Sequence, residues 1–164
     1  MAPFDAPEPR DPPRKPTTSS SRVTLARVTP DLYGFVGELE THPDLAYAWR
    51  LGGTTPRVEE VVGTSFDGVL AQFVAVESAT GTPFGLVNCY RADHANGHAH
   101  VGAIAMPAVW NEGLMPEAFV VFVRYVFESF NFRKLYLESA EFNTKRLWSG
   151  ANRLLTLEGC LREF

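Results

Sequence analysis

The sequence predicts an α+β fold: a mixed sheet, mostly antiparallel with one parallel junction, flanked by helices. Two observations carry this. Residues 84–90 (FGLVNCY) and 98–106 (HAHVGAIAM) are apolar, strand-like runs joined through Asn96–Gly97, a strong hairpin signal because both residue types tolerate positive φ. Residues 114–130 form a long apolar helix followed closely by the strand-like run 134–138 (KLYLE). A strand–helix–strand unit of this length implies a parallel pair and a right-handed crossover.

At 164 residues the chain is one domain by size and is long enough to bury a substantial core. Residues 1–22 hold half of the 12 prolines and Ser19, Ser20 and Ser21. That composition lacks the apolar content to offset ordering entropy, so a disordered leader is expected there, with the folded domain over 23–164. Asp5, Glu8 and prolines stand where a secretory signal would be apolar. No run approaches the ~18 uncharged apolar residues that span a membrane. The net charge of −4 argues against nucleic acid as the main partner. Cys89 and Cys160 form neither a metal spacing nor a disulfide framework, and a reducing cytoplasm is the default.

After the leader, residues 23–28 (VTLARV) alternate as a strand does. Pro30 and Asp31 open a helix with Leu32, Phe35, Val36 and Leu39 on one face, ended by His42 and Pro43. Residues 45–49 are a short helical or irregular piece closed by Gly52 and Gly53. Thr55–Pro56 caps another helix carrying Val58, Val61 and Val62. A turn at Asp67–Gly68 leads to a strand over 70–76, and a turn over 79–83 leads into the hairpin. On the long helix, Glu117, Val121, Arg124, Glu128 and Asn131 form the expected solvent stripe. Phe119, Phe122, Val123, Val126, Phe127 and Phe130 form an apolar arc wide enough to pack across a sheet. Residues 143–155 are expected to be helical, and 157–164 to begin a last strand.

The stretch 98–118 organises the rest. It reads as a strand, a connection over 107–112, and a helix opened by Gly113, with Pro116 and Glu117 in its first turn. Pro is tolerated there, and the carboxylate complements the helix dipole. A strand, a glycine turn and an uncapped helix N-terminus present free N–H groups suited to phosphate. One glycine is a weak signal by itself, and an ordinary strand–helix connection is the commoner reading of such a joint.

This order of elements, with GLVNCY at 85–90, NGHAHVGAIAMPAVWNEGLMPEA at 96–118, FRKLYLES at 132–139, FN at 142–143 and LEGCLRE at 157–163, resembles the GNAT acetyltransferases, in particular their RimJ/RimL-like branch. The resemblance implies a GNAT-like mixed sheet in which the fourth strand and the strand after the long helix splay apart. It implies acetyl-CoA as co-substrate, no metal, and a small-molecule or peptide amine as acceptor: a protein N-terminus, an amino-sugar antibiotic or another amine. Pantetheine is then expected along Gly102, Ala103, Ile104, Ala105 and Met106. Pyrophosphate is expected on the loop and first turn formed by Asn111, Glu112, Gly113, Leu114, Met115 and Pro116, with Asn143 near the pantetheine. Gly113 fits the family's Q/R-x-x-G-x-G/A loop, while Trp110 and Met115 depart from it.

His100 lies where relatives often place a Glu that acts as general base. Histidine suits that role at neutral pH, and a strand histidine that is hydrogen-bonded or merely exposed remains the other reading. His98 shares its face but sits nearer the hairpin. The family's acidic Tyr falls on Gly150, so the neighbouring Ser149 is the candidate acid. His94, His98 and His100 flank the hairpin without a fixed metal spacing. In the family, the segment matched by 158–163 leads into a strand hairpin; the sequence ends at Phe164. The expectation is therefore a domain short of that hairpin, truncated or completed by a partner in a homodimer. The leading function is acetyl transfer to a primary amine; the alternative is a non-catalytic or degenerate acyl-CoA-binding GNAT module.

Overall fold

The computed structural model describes residues 15–45, 66–140 and 155–160, with residues 49, 54, 57, 60, 63, 64 and 143 between them. Five strands form one sheet in sequence order: β1 Val23–Arg27, β2 Val69–Glu77, β3 Pro83–Asp93, β4 His98–Ala105 and β5 Lys134–Tyr136. β1 to β4 pair antiparallel, and β5 joins β4 parallel. Helix α1 spans Tyr33–Thr41 after a 3-10 turn at Pro30–Leu32, and helix α2 spans Leu114–Ser129. The α+β class and the parallel junction thus stand as the sequence predicts.

The two helices cover different faces of the sheet. Leu114, Ala118, Val121, Phe122 and Val126 of α2 are buried against Val87, Cys89, Ala99 and Val101. On the other face, Val36 and Leu39 of α1 pack on Val74, Leu86 and Ile104. The period of two in β3 and β4 sorts side chains between these layers. Gly85 makes room for the first turn of α2: a Cβ there would lie 2.7 Å from the Ile104 carbonyl oxygen and 2.9 Å from Met115 Sδ.

Several expectations are corrected. The hairpin is not a two-residue turn with both φ positive. Residues 94–97 form the loop, and Gly97 alone among them has positive φ (69°). Asn96 instead donates its backbone N–H and its amide to the Asp93 carboxylate, at 2.9 and 2.8 Å. The four described residues from Leu157 onward carry no strand. The sequence-predicted helices over 55–62 and 143–155, and the piece at 45–49, lie largely outside the described residues.

The helix stripe is corrected as well: Val121 is buried and Phe127 is exposed. The reason lies in the leader, whose last residues are docked rather than free. Thr17 N–H donates to Glu128 (2.7 Å), Ser20 Oγ to Glu117 (2.6 Å) and Arg22 Nε to Glu117 (2.7 Å). The acidic stripe of α2 is therefore a docking track for 17–22, and Val121 lies on that track between Glu117 and Glu128. Val121→Asn should accordingly destabilise the fold by at least about 2 kcal/mol, the cost of an unsatisfied buried amide plus lost apolar burial. Phe127→Gln should cost less than about 1 kcal/mol. Urea denaturation midpoints check this; the reverse order would restore the stripe read from spacing.

Candidate functional site

The site is set by which way the backbone of β4 points. Met106 N–H donates to the Phe84 carbonyl, so 84/106 is a hydrogen-bonded pair. In an antiparallel ladder such pairs alternate, so Ile104, Gly102 and His100 also bond to β3 through Leu86, Asn88 and Tyr90. The backbone groups of Val101, Ala103 and Ala105 therefore point to the opposite edge. There β5 pairs only as far as His100↔Tyr136, whereas β4 runs on to Ala105. Beyond His100 the edge of β4 has no strand partner among the described residues. This is the opening in the sheet that a splayed junction requires. Within 102–106, the backbones of Ala103 and Ala105 face the opening, while those of Gly102, Ile104 and Met106 are turned to β3.

At its far end the opening meets α2. Pro107–Val109 forms a 3-10 turn, and Trp110 Nε1 donates to the Ala105 carbonyl (3.0 Å). Gly113 caps the helix in the left-handed region at φ 73°, a conformation that costs other residues about 1–2 kcal/mol. Arg22 reaches over from the start of β1, its guanidinium 3.3 Å from the Glu112 carbonyl and 3.4 Å from that of Gly113. It also pairs with Glu117. Ser20 first, then Arg22, holds the Glu117 carboxyl below the usual carboxylate range. Asn111 and Glu112 are exposed and Leu114 is buried. Met115 points to Gly85 and the core, not over the loop. Pro116 lies exposed in the first turn.

On the α1 side of the sheet, strand register lays side chains in rows. Val74, Leu86 and Ile104 form an apolar row under α1. Gln72, Asn88 and Gly102 form a polar row. Tyr90, His100 and Tyr136 form an aromatic row. The His100 ring lies 5.7 Å from that of Tyr90 and 5.4 Å from that of Tyr136. Its side chain is 17 % exposed, with Nδ1 3.5 Å from Glu138 Oε1, while Arg91 Nη1 lies 3.6 Å from the other Glu138 oxygen. Arg91 has φ 47° where the β3–β4 register shifts; this bulge places its guanidinium beside Glu138. Burial chiefly lowers the His100 pKa below its ordinary 6.5, and Arg91 and His98 act in the same direction; Glu138 opposes them. The net lowering favours the neutral imidazole. His98 is stacked edge-on to Tyr136 at 5.5 Å.

Glu138 and Arg91 are the charged residues that sequence reasoning missed here. The alternation of KLYLE places Tyr136 and Glu138 on one face, but only the register with β4 brings that face to His100. Asn143 is tied to Ala140 by a backbone hydrogen bond of 2.9 Å. Ser149 lies outside the described residues. Among the described residues, no group of three His, Cys, Asp or Glu could hold a metal, and no helix is long and apolar enough to cross a membrane. Cys89 and Cys160 are both free, and burial pushes the Cys89 thiol up to about 11.

Comparison with solved structures finds the same fold repeatedly. A spermidine N-acetyltransferase from Vibrio cholerae in complex with CoA and spermine superposes with a TM-score of 0.74 at 20 % identity, over 88 % of this chain and 87 % of that one. The spermidine/spermine N-acetyltransferase SpeG from Vibrio cholerae in complex with manganese ions gives 0.69 at 19 %, over 88 % and 84 %. An acetyltransferase from Agrobacterium tumefaciens strain C58 gives 0.67 at 17 %, over 88 % and 86 %. No curated protein sequence matches. The profile of the acetyltransferase (GNAT) domain matches residues 22–147, and with the open β4 edge and the glycine-capped α2 in place, the chain belongs to that family.

Proposed function

We propose that this protein transfers an acetyl group from acetyl-CoA to a primary amine, as a RimJ/RimL-like member of the family. The observation that carries this reading is the β4 edge that runs past the end of β5, with the backbones of Ala103 and Ala105 facing the opening and His100 at its start. An extended pantetheine amide chain needs backbone donors and acceptors of this kind. The left-handed Gly113 and the α2 N-terminus suit a pyrophosphate, because N–H groups of a first helical turn lack intrahelical partners.

In this reading the acceptor enters on the α1 side as R–NH₃⁺ and gives a proton to His100 Nε2. Glu138, beside Nδ1, favours the tautomer whose proton is on Nδ1 and leaves Nε2 free to accept. The freed amine attacks the thioester carbonyl carbon. The C–N bond forms, the tetrahedral intermediate loses the second nitrogen proton to solvent as it collapses to the amide, and the C–S bond breaks. CoA leaves as a thiolate that takes a proton from water or from an acid, for which Ser149 remains the candidate. The solved neighbours named for spermidine put polyamines among the amines to test.

A second reading, a CoA-binding module without catalysis, is favoured by one observation. Trp110 already occupies the Ala105 carbonyl, so the edge has one acceptor fewer. Mass-spectrometric acetylation of an amine library by the purified protein decides between them: acetylated amine supports the enzyme, and CoA binding without product supports the module.

His100→Ala should lower kcat by about 10²–10⁴ with the CoA Kd unchanged; full activity would demote His100 to a structural residue. The pKa direction fixes the pH profile. A base whose pKa is lowered stays unprotonated below pH 6.5, so activity should fall only on a limb below that value. Glu138→Gln removes the one influence that raises the His100 pKa and should move that limb to lower pH; a shift upward contradicts the assignment. Gly113→Val should sharply weaken calorimetric CoA affinity, since it strains a left-handed position and adds bulk at the backbone. Unchanged affinity in a folded variant would move the pyrophosphate elsewhere.

A further inference from the structure

Arg22 stands immediately before β1, yet its guanidinium is engaged at the start of α2. Its Nε donates to Glu117 Oε2 at 2.7 Å. Nη1 lies 3.3 Å from the Glu112 carbonyl oxygen and Nη2 3.4 Å from that of Gly113. Ser20 Oγ donates to the other Glu117 oxygen at 2.6 Å, so the carboxylate is itself held. The Arg22 side chain is half exposed, and an ion pair so open to water adds little to fold stability. Three acceptors gathered by one planar fork of donors are more than such a pair requires. Gly113 lies against the guanidinium: a Cβ built there would stand 3.7 Å from Nη2. Glycine takes positive and negative φ about equally readily, so its own preference does not hold the observed φ of 73°.

We infer that Arg22 is a positioning residue for CoA: it pins the Glu112 and Gly113 carbonyls and so presets the N–H groups of Gly113 and Leu114 for the pyrophosphate. This rests on the reading above that places pyrophosphate at this turn, and it adds what presets the turn. The link is covalent. The C=O and N–H of one trans peptide lie antiparallel in a plane. A carbonyl drawn to Arg22 therefore turns the N–H of the next residue away from Arg22. The Gly113 carbonyl also accepts from Glu117 N–H at 3.4 Å, which directs Leu114 N–H out of the helix end. Donors are few here. The Val109 carbonyl takes Glu112 N–H at 3.1 Å, and Pro116 has no N–H. The turn thus offers the N–H groups of Gly113, Leu114 and Met115. Without Arg22, the peptide planes beside Gly113 turn more freely and CoA must order them as it binds; a preset turn avoids that cost. Charge has the smaller part, because the Glu117 carboxylate offsets the guanidinium. The role is geometric, and a lysine, a point charge without a fork, does not supply it.

The experiment measures calorimetric CoA affinity of the full chain for wild type, Arg22→Lys, Arg22→Gln and Glu117→Met. Both Arg22 variants should weaken CoA by about fivefold to thirtyfold, the factor for ordering one residue's backbone on binding. Glu117→Met removes a negative charge beside the loop, which by charge alone would tighten CoA. It should weaken CoA instead, because nothing then holds the guanidinium over the two carbonyls. The choice of acetyl donor gives a readout that a merely structural role would not move. The preference for acetyl-CoA over S-acetylpantetheine, which lacks the pyrophosphate, should fall by a similar factor in Arg22→Lys. Full CoA affinity in Arg22→Lys overturns the inference, and so does unchanged or tighter binding in Glu117→Met; either result makes Arg22 a charge and not a brace. An equal loss with both acetyl donors also overturns it. Should the Arg22 variants not fold, the sign of the Glu117→Met effect decides. Wild type that binds CoA but transfers no acetyl group sinks the transferase reading alone, and calorimetry still judges Arg22. Wild type that binds no CoA overturns both.

Discussion

The hydrogen-bond parity of β4 governs the rest of the structure. Once Met106 bonds to Phe84, every even residue of the strand is committed to β3 and every odd one to the other edge. The same parity sends Ala99 and Val101 into the core beneath α2 and His100, Gly102 and Ile104 to the face beneath α1. A slip of one residue would exchange these sets. It would bury two histidines under α2, expose the core alanines and valine, and turn the backbones of Gly102 and Ile104 to the opening. Core and site are thus specified together, because an apolar face can be buried in only one of the two registers.

The loop at the far end of the opening is held by contacts that spacing alone does not suggest. Trp110 stands where the family pattern has Gln or Arg, yet its indole ties the loop to the last residue of β4. Arg22, distant in sequence, takes the carbonyls of Glu112 and Gly113 and the carboxylate of Glu117. Both side chains are donors directed at oxygens of this loop and its helix. Neither interaction uses the N–H groups of the first helical turn, so the brace steadies the turn without consuming the donors that an anion needs.

The strands and the parallel junction were legible because alternation and turn chemistry are local. The phase of α2 was not. Val120, Val121, Phe122 and Val123 are apolar on all sides of the helix, so only the charged residues could orient it, and those charges serve Thr17, Ser20 and Arg22 rather than water. Proline- and serine-rich composition carries no information about hydrogen bonding to a neighbouring helix. In the site, His100 was legible as a strand histidine of undecided role. Glu138 required the β4–β5 register, and Asn88 is a single polar letter within an apolar strand. Arg91 could not be foreseen, since a positive φ at an arginine is a consequence of the bulge and not a preference of the residue.

Local rules are broken in this fold mainly beneath α1, although Ser129 Oγ on α2 also lies buried without a hydrogen bond. The α2 side of the sheet is a close-packed apolar layer centred on Phe122. The α1 side holds an unpaired carbonyl oxygen at Asn88, a buried imidazole Nδ1 without a hydrogen bond, and a left-handed arginine. Each costs on the order of 1 kcal/mol or more, a large share of the stability of an ordinary domain. Asn88 and His100 sit on adjacent rows beside the place where β4 loses its partner, and Arg91 follows Tyr90 at the bulge. A module retained only to hold CoA would need the open edge and the glycine turn. It would have no use for a histidine kept out of water or for a buried carbonyl without a partner, and substitution by apolar residues would stabilise it. Their clustering at the mouth of the opening fits a protein that does chemistry on what it binds there.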